Sequence, residues 1–65
     1  MPSSNTWTIE CIFRGETDAA VQIIDPASDE LLWIPLSQVE SMVRRPDNTG
    51  SITMTRWIAE KKGLL

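Results

Sequence analysis

A run of four apolar residues, Leu31-Leu32-Trp33-Ile34, ends at Pro35 in the middle of a chain of only 65 residues. An unbroken apolar run of this length between turn residues is the pattern of a strand covered on both faces. Two covering layers are hard to supply, because a chain this short buries only about 60% of the surface its unfolded form exposes. Small domains make up that deficit with disulfides, a structural metal or self-association. Cys11 is the only cysteine, so no disulfide closes within the chain, and the absence of histidine leaves a structural zinc short of ligands. Elimination therefore predicts a homo-oligomer in which a neighbour helps to cover the strand, with an unusually tight core as the alternative.

The rest of the chain reads as short strands and turns. Residues 1–5 are expected to be a flexible polar N-terminus, and residues 6–65 one domain. Trp7, Ile9, Cys11 and Phe13 alternate with Thr8, Glu10 and Arg14, which predicts a half-buried strand. Ile12 falls on the polar side, so that face is expected to be partly covered. Arg14-Gly15-Glu16-Thr17-Asp18 reads as a turn, residues 19–24 as a second strand and Asp25-Pro26-Ala27-Ser28-Asp29-Glu30 as a loop. With residues 31–34 these make a meander, and Pro35, which cannot donate to a ladder, ends the strand or lies on an edge.

Ser37-Gln38-Val39-Glu40 fits a capping box, and Val39, Met42 and Val43 share one helical face, predicting a short helical turn before Pro46. Asp47-Asn48-Thr49-Gly50 is turn chemistry, and residues 51–54 alternate again as a last strand. Thr55 is placed to cap a helix over residues 56–62. Gly63 stands where a left-handed residue is wanted, with Leu64 folding back on Ile58 or Ala59. The expected architecture is α+β, mainly β: a small curled antiparallel sheet of SH3-like half-barrel form, with a C-terminal helix laid across it.

Net charge is −3, unevenly spread. Residues 1–40 carry one arginine against seven carboxylates, a net of −6, and residues 41–65 carry five cations against two carboxylates, a net of +3. Folding can interleave the two signs, or leave an acidic face for a basic protein partner. The acidic total opposes nonspecific binding to nucleic acid, which needs clustered cations. Neither histidine nor tyrosine is present, Cys11 has no cationic neighbour in sequence, and no glycine-rich phosphate loop exists. The residues therefore predict a protein without catalytic activity, cofactor or metal. No apolar run approaches the roughly 18 residues of a membrane span. The polar start and unpaired cysteine predict a cytoplasmic protein.

Small anionic ligands remain. Arginine holds phosphate through a planar fork, and tryptophan faces stack on nucleobases. Trp33, Ser37, Gln38, Arg44, Arg45, Arg56 and Trp57 are the candidate ligand-binding residues, framing a pocket for a nucleotide-like ligand at an interface between subunits. The competing expectation is that the tryptophans are core and the arginines solvated.

Trp33-Ile34-Pro35, Ser37-Gln38 and the C-terminal Trp57-Ile58-Ala59-Glu60-Lys61, Gly63-Leu64 carry a resemblance. The chain resembles small uncharacterised bacteriophage and prophage proteins with a Trp-Ile-Pro-x-Ser-Gln strand end and a Trp-(Leu/Ile)-Ala-Glu-Lys-x-Gly-Leu helix. The likeness runs from Ala20 to Leu64, with residues 40–50 as a variable loop and Leu36 where the pattern has a lysine. It implies a phage-type binding protein that counters host defence, either by sequestering a nucleotide immune signal or by inhibiting a host protein through an acidic surface. An accessory module for single-stranded DNA or replication proteins is a further implied alternative.

Overall fold

The alternation that starts at Thr6 builds the longest strand. In the computed structural model, which describes residues 5–64, β1 (Thr6–Glu16) buries Cys11 and Phe13 and leaves Thr8, Glu10 and Arg14 exposed. Trp7 shares the parity of Cys11 but lies at the rim, 36% exposed. The strand runs past the expected turn at Arg14. Phe13 opposes Ile23 while Gly15 opposes Gln22, so Arg14 is the extra residue of a β-bulge. The turn comes three residues later, at Thr17, whose Oγ1 accepts the N–H groups of Ala19 and Ala20 at 3.3 and 3.1 Å.

Strands β2 (Ala20–Asp25) and β3 (Glu30–Pro35) continue the meander. Between them Asp25 accepts the Ala27 N–H through its side chain and the Asp29 N–H through its carbonyl, with Asp29 at φ 60°. The chain then leaves β3 through a 3-10 turn at residues 36–38 and crosses to the far side of the sheet. There β4 (Val39–Arg44) and β5 (Thr49–Thr55) form a hairpin whose turn places Asn48 at φ 71°. The order β3-β2-β1-β5-β4, antiparallel at every junction, departs from a plain meander because β5 returns to pair with β1.

One expectation is corrected. Residues 39–44 form a strand, not a helical turn. Val39 opposes Met54 and Ser41 opposes Thr53, so Glu40 is an extra residue in a second bulge. That bulge puts Val39 and Met42 on one face three residues apart, the spacing that also marks a helix. The run 31–34 is covered on one face only within the chain, and the expected cover by a neighbour concerns the other face. β3 is an edge strand, with Ile34 fully buried and Leu32 partly so, while Leu31 is 54% and Trp33 44% exposed on the opposite face.

On the concave side Val21, Ile23, Ile34, Ile52 and Met54 are fully buried, and Cys11, Phe13, Ile58 and Ala59 complete the core. Each large apolar side chain buried this way contributes roughly 1.5–3 kcal/mol. The helix α1 (Arg56–Lys61) packs on β5 and β1 and closes that core. Six residues are too few to be helical alone. Thr55 Oγ1 accepts the Ile58 N–H at 3.4 Å, and the other end closes in a Schellman motif. Gly63 sits at φ 76° with its N–H on Glu60 O, and the Leu64 N–H reaches Ala59 O. As expected, Leu64 packs against the core. Residues 1–4 of the expected flexible N-terminus lie outside the described residues. Asn5 is held, its carbonyl accepting the Arg56 N–H at 2.7 Å.

Candidate functional site

Pro35 ends β3 and turns the chain into the 3-10 segment, which carries Ser37 and Gln38 to the flank of α1. The Thr55 hydroxyl donates to Gln38 Oε1 at 2.8 Å while accepting from Ile58, so one side chain ties the turn to the helix cap. Gln38 keeps its NH2 group as a donor for something else. Between turn and helix lies an open cleft of about 480 Å³, lined by Pro35, Ser37, Gln38, Trp57, Ile58, Lys61 and Lys62. That volume lies within the roughly 300–1,000 Å³ of small-molecule sites.

Its chemistry is mixed. Trp57 is 58% exposed, and Lys61 Nζ sits 5.0 Å from the centroid of its ring. The spacing of Trp57 and Lys61, one helical turn, puts an aromatic face and a positive charge side by side. Lys62 adds a second cation, and Ser37 an exposed hydroxyl. An arrangement of two ammonium groups, a carboxamide, a hydroxyl and an indole can hold an anionic group and stack a planar one.

Of the seven candidate residues, the fold brings Ser37, Gln38 and Trp57 together and disperses the rest. Arg44 lies over the Phe13 ring at 4.6 Å and pairs with Glu16 at 3.1 Å, beside a smaller hollow of about 160 Å³. Arg45 pairs with Glu10 at 3.1 Å and also donates to Thr49. Arg56 stands 5.9 Å from the Trp7 ring, and Trp33 lies on the outer face of β3. None of the three tryptophans belongs to the core. The two ion pairs join the acidic first half to the basic second half, so folding interleaves charges that the sequence separates. Lys61 and Lys62 were missing from the candidate set. Their legible role, cations complementing a helix C-terminus, hid the four-residue step from Trp57 that sets Lys61 on the same face.

Cys11 is buried in the core and does not line the cleft. Burial, with a smaller contribution from the neighbouring Glu10 charge, pushes its thiol up to about 11. Among the described residues no group of three or more His, Cys, Asp or Glu side chains is placed to hold a metal ion, and no helix is long and apolar enough to cross a membrane.

Fold and cleft define the class: a small open-sheet β domain carrying a lysine- and tryptophan-lined cleft where its 3-10 turn meets its helix. No protein-family model, no curated protein and no solved structure matches the chain.

Proposed function

We propose that this chain is a non-enzymatic, self-associating binding protein of bacteriophage type. It counters host defence in the host cytoplasm by sequestering a small nucleotide-like immune signal in the cleft beside α1. The observation that carries the ligand reading is the cleft itself, where Lys61 and Lys62 meet Trp57, Ser37 and Gln38 around about 480 Å³. The lysines hold the phosphate as point charges, Trp57 stacks on the base, and Ser37 with the Gln38 NH2 donates to polar edges. The phage origin and the anti-defence role rest on the resemblance of the Trp33–Gln38 and Trp57–Leu64 motifs. The arginines stay in their ion pairs and ring contacts and are not needed for this ligand.

Isothermal titration with cyclic mono- and dinucleotides and ADP-ribose derivatives tests the reading. Binding of at least one of these is expected, weakened at least tenfold by Lys61→Glu with Lys62→Glu. Silence across the panel, or binding indifferent to both lysine substitutions, removes the ligand assignment.

A further inference from the structure

The two edges of the sheet are finished differently. Sheet proteins protect an edge with a bulge, charged side chains or proline, because an unprotected edge pairs with any strand it meets. The β4 edge is bulged at Glu40 and ends on Arg44. The β3 edge has no bulge, a single charge at its first residue, Glu30, and one proline at its last. Its outer face carries Leu31 and Trp33, both about half exposed.

The ladder with β2 identifies which backbone groups this edge offers. The Leu36 N–H donates to Ala19 O at 2.9 Å, continuing the register that pairs Ala20 with Pro35. Hydrogen-bonded and non-hydrogen-bonded pairs alternate in an antiparallel ladder. Ile34, Leu32 and Glu30 therefore bond to β2, and Leu31, Trp33 and Pro35 turn their backbone groups away from the sheet. Pro35, with no N–H to give, stands where none is required.

We infer that the occupant of this edge is a second copy of the chain, paired antiparallel through β3 about a two-fold axis at Leu32. This deepens the self-association proposed above and is independent of the ligand assignment. In that register Leu31 faces Trp33 of the second copy and Trp33 faces its Leu31, so the N–H and carbonyl groups of Leu31 and Trp33 in each strand are satisfied. Shifting the axis to Leu31 brings Asp29, whose N–H is already held by the Asp25 carbonyl, opposite Trp33 and loses bonds, while shifting it to Trp33 keeps their number but sets the Leu31 carbonyl against Pro35, which has no N–H. Charge supports the same partner. Two chains of net −3 repel, but this arrangement sets Glu30 across from Ile34 of the other copy. The acidic Asp25–Glu30 turn of each copy lies toward the Pro35 end of its neighbour, the end that leads to Lys61 and Lys62. The four exposed side chains, Leu31 and Trp33 from both copies, then form one apolar strip flanked by Ile24, which lies beside Leu31 in the β2 ladder.

A six-residue seam is at the small end for an interface, so assembly is expected at roughly micromolar concentrations and above. Sedimentation velocity from about 1 μM to about 1 mM reads the mass. The full chain is expected to move from monomer to dimer, Trp33→Lys to remain monomeric with an unchanged circular dichroism spectrum, and Met42→Lys on the β4 edge to dimerise as before. The register is read separately: Leu32→Cys should form a disulfide-linked dimer on mild oxidation several-fold faster than Leu31→Cys. A monomer at every concentration overturns the inference, as does a dimer that survives Trp33→Lys, a dimer lost in Met42→Lys, or faster cross-linking at position 31. Nucleotide titrations do not enter these readouts, so ligand and dimer can fail separately.

Discussion

Gly50 shows how much one missing methyl decides. It lies in β5 between Arg44 and Cys11, and a Cβ built there meets the Val43 carbonyl and comes within 2.9 Å of the Phe13 ring. The turn residue that needs a left-handed backbone is instead Asn48, so Gly50 is required for space. Gly50→Ala should therefore destabilise by about 1–3 kcal/mol, the usual cost of overpacking, seen as a lower urea midpoint. Cys11 makes a second prediction at this scale. Its folded-state value is raised from an ordinary 9.0 to about 11, so the unfolded chain ionises first. The stabilising effect is complete below pH 9 and is lost as the pH climbs from there toward 11. Urea titrations over that window should show falling stability in the native sequence and a flatter profile in Cys11→Ala. A thiol reagent at pH 8 should label Cys11 only as fast as the protein unfolds.

At the scale of elements, α1 depends on both of its ends. Thr55→Ala removes the acceptor for Ile58 and the donor for Gln38 together, and should cost about 1–2 kcal/mol. Thr55→Ser should retain most of that stability. Gly63→Ala places a Cβ at φ 76° in open space, so strain alone acts and the loss should be about 1 kcal/mol. Thermal melts followed by circular dichroism measure all three. The surface ion pairs behave differently. Arg45 and Glu10 are half or more exposed, so Arg45→Gln should change stability by less than about 0.5 kcal/mol despite a 3.1 Å contact.

For the whole molecule, one concave face is closed by a six-residue helix and the other face of the sheet is left open. The outer row Ile12–Ile24–Leu31 is continuous across β1, β2 and β3. Ile12 and Ile24 are half-buried, and exposure grows toward the edge. If association completes this surface, stability is coupled to concentration. The melting temperature should rise between about 5 μM and about 500 μM in the native sequence and stay constant in Trp33→Lys, as scanning calorimetry would show.

Local pattern was enough wherever the physics is local. Alternation from Thr6 to Phe13, the turn residues around Pro26 and Asn48, and the Thr55 and Gly63 caps foretell strands, turns and the helix, because rotamers, φ preferences and nearby hydrogen bonds act within a few residues. The mainly β class follows from them. Ser37–Arg44 resisted that reading, since a bulged strand and an amphipathic turn both put Val39 and Met42 on the same face. The free side of β5 decided between them by offering ladder partners that no neighbouring residue supplies. The cleft is non-local for the same reason. Ser37 and Gln38 meet Trp57, Lys61 and Lys62 only after β4 and β5 have carried the chain back across the sheet.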